Sequence, residues 1–220
     1  MESVLVLTPL ALEHAALATA LTAGGAHVEA DHNGVKVISL EGMNVDLAIG
    51  GHGKVQFALS TQLLVQKFKP RLVICAGGAG RLDSRLNPLD VVAGELTIEH
   101  DFRLRFVDRP LPRFPGDTHT LDRLRHMNGW NGFNVHLGTL ASGDEDVLDV
   151  ERAAELRSLT GACAVAWEGA GGARAARLHG IPFIEIRAIT DSADSDAPRA
   201  FTESVKFGMR NVAEVIRGIL

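Results

Sequence analysis

Short apolar runs alternate with longer stretches in which apolar residues recur at helical spacing along most of the chain. Apolar or alternating runs of about four to eight residues between turn residues are typical of buried strands. The predicted strands cover residues 4–7, 35–40, 45–49, 72–76, 91–98, 135–140, 162–166 and 182–189. Because helical patterns separate them, the sequence predicts one α/β domain with helices on both faces of a sheet.

The predicted helices occupy the segments between these strands. They run from the turn at Thr8-Pro9 to about residue 22, over 54–68, from about 121, and over 147–159, 170–178 and 200–219. Gly24 and Gly25 end the first helix, and the glycines at 50–53 and 77–80 predict loops. Residues 101–117 contain three prolines and four arginines, which is typical of a long irregular loop with a functional or interface role.

The composition disfavours several classes of protein. The 220 residues carry 22 basic and 27 acidic side chains, a net charge of −5, which disfavours a nucleic-acid partner. Both cysteines, Cys75 and Cys163, lie in apolar runs and predict buried, reduced thiols. No apolar run approaches the roughly 20 residues of a membrane span. We therefore expect a cytoplasmic protein that binds neither nucleic acid nor membrane.

Polar side chains that follow the strands mark the candidate chemistry, because ligands of open α/β sheets bind beyond the carboxyl ends of the strands. These side chains are Glu13, His52, Ser142, Asp144, Glu168, Arg187 and Asp191. The phosphate-loop, GxGxxG, HExxH and GxSxG patterns are absent from the sequence. We therefore expect no cofactor and no metal, and a site where three carboxylates and one arginine converge from segments far apart in the sequence.

Each candidate also has a structural alternative. A carboxylate at a helix start is favourable with the helix dipole, and Arg187 on an apolar strand requires only a buried carboxylate partner. The alternatives are a helix cap for Glu13 and Glu168, a turn cap for Asp191, a loop position for His52, a core position for Trp167, and solvated positions for Asp144 and Asp146.

Seven short motifs in order carry a resemblance to a known family. They are the segments 51–55, 77–82, 89–92, 100–101, 142–144, 167–170 and 187–191. Together they resemble the nucleoside phosphorylase superfamily, and most closely its 5′-methylthioadenosine/S-adenosylhomocysteine nucleosidase branch. The resemblance spans nearly the whole chain. It implies a single-domain three-layer α/β/α fold over residues 1–220, with a twisted mixed central sheet.

The resemblance also implies roles for individual residues. Glu13 matches the general base, Asp191 the acid that protonates the purine at N7, and Arg187 the arginine that orients the base glutamate. Glu168 matches the residue that binds the ribose hydroxyls, and the backbone of Val147 meets the purine edge. This set suits N-ribosidic cleavage, in which a poor leaving group needs an acid and water needs a base.

Four positions depart from the family pattern within the expected substrate-binding set, which also includes Thr190. Asp146 replaces a stacking aromatic residue, Gly78 a serine, Trp167 a methionine, and His52 a small apolar residue. The acid, base and ribose carboxylates are retained, whereas the pockets for the base and the 5′-group differ.

The sequence favours a purine nucleosidase that uses water, because the first loop and the strand at 73–76 carry no Lys or Arg to hold phosphate. Arg81 keeps a phosphate-dependent phosphorylase open, and a futalosine hydrolase-like enzyme and a non-catalytic nucleoside-binding protein are further alternatives. The resemblance also implies a homodimer in which residues 101–117 reach the partner subunit's pocket. Phe102, Phe106 and Phe114 are the expected anchors.

Overall fold

The computed structural model describes residues 3–22 and 27–220, and these form one mixed sheet of ten strands with six α-helices. The strands are β1 (Val4–Thr8), β2 (Val28–His32), β3 (Val35–Leu40), β4 (Val45–Ile49), β5 (Leu72–Arg81), β6 (Val91–Glu99), β7 (Arg113–Pro115), β8 (Val135–Ser142), β9 (Ala164–Ala166) and β10 (Phe183–Asp191). The helices are α1 (Ala11–Leu21), α2 (Lys54–Phe68), α3 (Thr118–Arg125), α4 (Val150–Thr160), α5 (Gly169–Leu178) and α6 (Ala197–Ile219).

The sheet closes on itself at one end. β5 pairs with β10 in parallel, and β10 pairs with β6, β6 with β8, β8 with β9, and β9 back with β5. These five strands therefore form a ring. On the other side of β5, the strands β1, β4, β3 and β2 extend in that order as an open sheet. The mixed central sheet is confirmed.

Helices cover both faces of the sheet, which confirms the three-layer arrangement. On one face, α1, α3 and α6 pack on the strands through a core that contains Leu17, Leu121 and Ile216. On the other face, α2 and α5 pack through Phe57 and Ala173. Each of these side chains is almost fully buried. The carboxyl ends of β1, β5 and β10 meet between the two helical layers, where the polar segments of the chain converge.

Some predicted boundaries were wrong for identifiable reasons. β5 continues through the glycines at 77–80, which pair with β10, so they form a strand where a loop was expected. The helix expected over 147–159 begins at Val150, because the Asp149 side chain accepts hydrogen bonds from the backbone N–H groups of Glu151 and Arg152. β2 was not predicted. The helix stop at Gly24 and Gly25 lies outside the described residues.

The segment 101–112 is irregular and exposed, as expected, and it ends in the short strand β7, which pairs with β6. Phe102 and Phe106 are exposed, but Phe114 is buried in the core beneath α5. Phe114 is therefore unsuited to anchor a partner, because its side chain already stabilises this chain. Both cysteines are free; Cys75 is buried, whereas Cys163 is only partly buried, contrary to the expectation.

Among the described residues, no helix is both long enough and apolar enough to span a bilayer.

Candidate active site

One cavity of about 300 Å³ lies beyond the carboxyl ends of β1, β5 and β10. It brings together side chains from segments far apart in the sequence, because parallel strands end at the same edge of the sheet. All ten candidate residues line it: Glu13, His52, Gly78, Asp146, Val147, Trp167, Glu168, Arg187, Thr190 and Asp191.

Glu13 lies in the first turn of α1 and is 2% exposed. Its Oε2 accepts a hydrogen bond from the Leu10 backbone N–H at 2.9 Å, so the residue does cap the helix. Its Oε1 accepts from the Gly78 N–H at 2.7 Å across the cavity floor. Burial raises the pKa of Glu13 to about 7, although the Gly78 N–H and Arg187 favour the charged form. A carboxylate in this state can take up and release a proton near neutral pH.

Arg187 lies beneath the cavity with 1% exposure, and its charge is shared among carboxylates. Its Nε donates to Glu185 Oε2 at 2.9 Å, and its Nη2 donates to Glu168 Oε2 at 3.3 Å. Its Nη1 donates to the Gly78 carbonyl at 3.4 Å. Glu13 is held by backbone N–H groups, so Arg187 acts on it through charge and through the shared Gly78 segment.

Glu168 immediately precedes α5 and is 3% exposed. Besides Arg187, its carboxylate accepts from the Gly53 backbone N–H at 3.3 Å. Gly53 has φ +83° and ψ 155°, a conformation that essentially only glycine adopts, and it directs this N–H into the site. The Ser142 hydroxyl donates to the Trp167 carbonyl and accepts from the Ala170 N–H, which fixes the start of α5. Burial raises the pKa of Glu168, while Arg187 opposes the shift.

Asp191 and Thr190 reach the same cavity because the register of β10 against β5 shifts between Ile189 and Asp191. Neighbouring residues of a regular strand point to opposite faces, and a bulge changes the direction of a side chain. The Asp191 carboxylate accepts from the Ala193 N–H at 3.0 Å and from the Thr190 hydroxyl at 2.9 Å. Burial raises the pKa of Asp191, which favours the protonated acid.

An aromatic wall closes one side of the cavity. The rings of His52 and Trp167 lie 4.1 Å apart, centroid to centroid, with a 48° tilt. Trp167 is half-buried and His52 is exposed, so both present ring surface to the cavity. Asp146 is exposed beside Val147 at the rim. The pair provides an aromatic surface in a cavity whose Asp146 position carries a carboxylate.

The residues around the site that the sequence analysis did not select include two that shape it, Phe201 and Glu185. Phe201, in α6, lines the cavity beside Gly78, where an added Cβ would lie 3.0 Å from the ring and 2.9 Å from Thr190. Gly78 therefore makes room for Phe201. Glu185 is the second. The sequence could have identified it, because residues two apart on a strand share a face and the buried Arg187 required a carboxylate partner.

Arg81 does not reach the cavity. Its guanidinium donates to the Leu86 carbonyl at 3.1 Å and to the Ser192 hydroxyl at 2.9 Å, and it lines a neighbouring hollow that shares only Thr190 and Asp191 with the cavity. Within residues 3–22 and 27–220, Arg187 is the one Lys or Arg that lines the cavity. Its positive charge is already opposed by buried glutamates, so this cavity is a poor site for a multivalent anion.

The three-layer α/β/α fold and its carboxylate-rich pocket agree with the matches to known proteins. The family model described as "Phosphorylase superfamily" matches residues 4–220, and the chain belongs to this superfamily.

Within this superfamily, individual relatives are similar to the chain over most of its length. A 5′-methylthioadenosine/S-adenosylhomocysteine nucleosidase of Exiguobacterium is 31% identical over 189 residues, which cover 82% of this chain and 81% of that protein. The nucleosidase of the same name from Neisseria meningitidis, solved in complex with methylthio-immucillin-A, is 29% identical. It has a TM-score of 0.89 and covers 100% of this chain and 98% of its own. Futalosine hydrolase of Helicobacter pylori shares the fold, with a TM-score of 0.90 at 23% identity, covering 99% of this chain and 97% of its own.

Proposed function

We propose that the chain hydrolyses the N-ribosidic bond of a 5′-modified adenosine-type nucleoside, as its relatives' names indicate for 5′-methylthioadenosine and S-adenosylhomocysteine. One observation carries the proposal: Glu13, Glu168 and Asp191 line a single cavity, and burial raises the pKa of each. A nucleoside-binding protein could use Glu168 to hold the ribose hydroxyls but would not need a base at Glu13, whereas cleavage of the N-ribosidic bond uses all three carboxyl groups.

The chemistry divides among the three carboxyl groups. Protonated Asp191 gives its proton to the purine as the bond from C1′ to the base breaks and the base takes the bonding electrons. Glu168 holds the ribose hydroxyls and stabilises one ring orientation. Ionised Glu13 takes a proton from water as the water oxygen bonds to C1′. Exchange with solvent then returns a proton to Asp191 and removes one from Glu13.

Water is favoured over phosphate as the nucleophile by the charges around Glu13. In the described part of the chain, the guanidinium of Arg187 is the one that lines the cavity; it is bonded to Glu185 and Glu168, whereas that of Arg81 is bonded to Ser192. A phosphate beside Glu13 would add negative charge next to a buried carboxylate without a free cation to offset it. The phosphate-dependent alternative is therefore the weaker one.

The decisive experiment is a panel of purine nucleosides that differ in base and 5′-substituent, each incubated with and without phosphate. We expect free base and free sugar without phosphate, with 5′-thioether adenosines cleaved best. Formation of a sugar 1-phosphate that strictly requires phosphate would identify a phosphorylase. Preference for futalosine would favour the hydrolase seen among the structural relatives, and binding without any cleavage would favour the binding-protein alternative.

We also propose that the chain forms a homodimer through residues 101–112. The segment exposes Phe102, Leu104, Phe106 and Val107, with Phe106 fully exposed. An exposed apolar cluster on one segment is typical of an interaction surface. A second copy suits the family resemblance, in which the partner closes the pocket. The single domain over residues 1–220 and the cytoplasmic location remain predictions.

A further inference from the structure

Glu185 is a buried charge that the proposed chemistry does not use. It lies on β10 with 1% exposure, and each of its two carboxylate oxygens accepts a hydrogen bond. Oε1 accepts from the Thr97 hydroxyl at 2.6 Å, and Oε2 accepts from Arg187 Nε at 2.9 Å. A Cβ added at Gly169 would overlap this carboxylate, so the start of α5 leaves room for it. Burying a carboxylate is costly, and this niche compensates for the cost with specific partners.

The position of Glu185 determines where Arg187 points. A guanidinium is planar, so a bond that fixes Nε also fixes the directions of Nη1 and Nη2. In this orientation Nη2 meets Glu168 and Nη1 meets the Gly78 carbonyl. The Gly78 N–H in turn binds Glu13. One buried carboxylate thus supports the contacts of both site glutamates.

We propose that Glu185 is a positioning residue: it fixes the plane of Arg187 and takes up part of its charge, which keeps Glu13 basic enough to accept a proton from water. The inference rests on the proposed function in one respect, the role of Glu13 as the base. The geometry of Glu185, Arg187 and Gly78 stands independently of any substrate.

The charges around Arg187 determine the direction of the effect. Glu13 from α1, Cys75 from β5, Glu168 at the start of α5 and Glu185 on its own strand all face the guanidinium. The Thr97 hydroxyl and Gly169 face Glu185 from β6 and α5. Removing the charge of Glu185 leaves more of the positive charge of Arg187 to act on Glu13. The Glu13 carboxylate then becomes easier to ionise and a weaker base.

The test is Glu185→Gln, which conserves shape: its amide oxygen can accept from Arg187 and its amide nitrogen can donate to Thr97 Oγ1. We expect the acid limb of the kcat/KM profile to move down by about one pH unit. We also expect kcat on the alkaline side to fall several-fold. Asp83→Asn is the matched control, because Asp83 is a buried carboxylate that pairs with Arg85 and Arg157, away from Arg187. It should leave the limb in place.

A second readout needs no turnover. The carboxyl carbons of ¹³C-labelled glutamates are titrated by NMR without substrate, and the Glu13 signal is assigned by its loss in Glu13→Gln. Titration of Glu13 at a lower pH in Glu185→Gln supports the proposal, and an unchanged titration overturns it regardless of activity. If the titration shifts but no nucleoside is cleaved by the wild type, the proposed function is what fails.

Should Glu185→Gln not fold, Glu185→Asp carries the test, because it keeps the charge and withdraws it from Arg187. We expect a lower kcat with little change in KM, and a smaller shift of the Glu13 titration. A kcat equal to that of the wild type, with an unshifted titration, would show that the contact has no positioning role.

Discussion

Asp191 holds its carboxyl group between the Thr190 hydroxyl and the Ala193 N–H at the cavity wall, and burial raises its pKa. We expect Asp191→Asn to lower kcat by about 10²- to 10⁴-fold, because the amide keeps the shape but has no acidic proton to give. KM should change less, since ground-state contacts survive. Steady-state kinetics on the best substrate of the panel measures both constants.

Asp196→Asn is the control, because Asp196 is exposed and pairs with Arg199 outside the cavity. If Asp191→Asn kept the wild-type kcat, Asp191 would be only a turn cap and not the catalytic acid.

Glu13 links catalysis to stability. The folded protein keeps a proton on Glu13 up to about pH 7, whereas the unfolded chain releases it near pH 4.5. Folding is therefore weakened as the pH rises between these values, and the loss remains at higher pH. At about 1.4 kcal/mol per pKa unit, the expected loss is about 3 kcal/mol. Glu13→Gln removes this dependence.

We expect the free energy of unfolding of Glu13→Gln, relative to the wild type, to rise by up to about 3 kcal/mol between about pH 4 and pH 8. Denaturant titrations of both proteins at the two pH values give this difference, in which pH-independent changes cancel. Parallel behaviour of the two proteins would contradict a raised pKa at Glu13.

At the scale of elements, Lys54 joins the start of α2 to two loops. Its Nζ pairs with Asp101 and lies 3.0 Å from Glu99 Oε1. Its backbone N–H donates to Asp144 Oδ1 at 2.8 Å, and Asp101 Oδ2 accepts from the Asp144 N–H at 3.0 Å. Because His52 lies just before α2 and Asp146 lies on the loop that contains Asp144, this network connects the cavity rim to the segment that begins at Asp101.

We expect Lys54→Met to raise KM several-fold with a smaller change in kcat, because the rim loosens while Glu13 and Asp191 stay in place. Lys67→Met is the control, since Lys67 is exposed on the same helix. Circular dichroism establishes that both variants are folded, because removing one partner of a buried ion pair is also costly for stability. A KM equal to that of the wild type would show that the network has no part in binding.

The elements predicted correctly share one property: their apolar residues are buried. β1 and β10 are apolar runs whose residues are nearly all buried. β2 was missed because Val28–His32 is exposed or half-buried and is held by backbone pairing with β3, which leaves no apolar pattern. The glycines at 77–80 were read as a loop because the helix packing and the β10 pairing that favour a strand there are tertiary effects.

The sequence predicted the site residues that follow the ends of the strands, but not those that other elements bring to the cavity. The carboxyl-end rule and the family motifs selected Glu13, Glu168 and Asp191, which do line one cavity. Phe201 was missed because the sequence does not show how the first turns of α6 pack over Gly78. The bulge at Thr190 was missed because it arises from the pairing of β10 with β5, which no local pattern reports.

At the scale of the whole molecule, the exposed apolar segment 101–112 is the proposed dimer interface, so a substitution there should change the oligomeric state. We expect the wild type to be a dimer at micromolar concentration and Phe106→Asp to be a monomer with weaker substrate binding, because a charge in an apolar interface is unpaired. Light scattering coupled to size-exclusion chromatography measures the mass. Leu178→Asp is the control, an exposed leucine at the end of α5. A wild-type monomer with full activity would contradict the proposal.

The closed ring of strands separates the molecule into a part that opens rarely and a part that frays. β5 and β10 have neighbours on both sides, whereas β2 pairs only with β3 among the described residues. Amide protons of β5 and β10 should exchange with solvent only through global unfolding, and those of β2 through local opening. Since β5 carries Gly78 and β10 carries Asp191, the cavity floor should remain folded while β2, at the opposite edge of the sheet, opens locally.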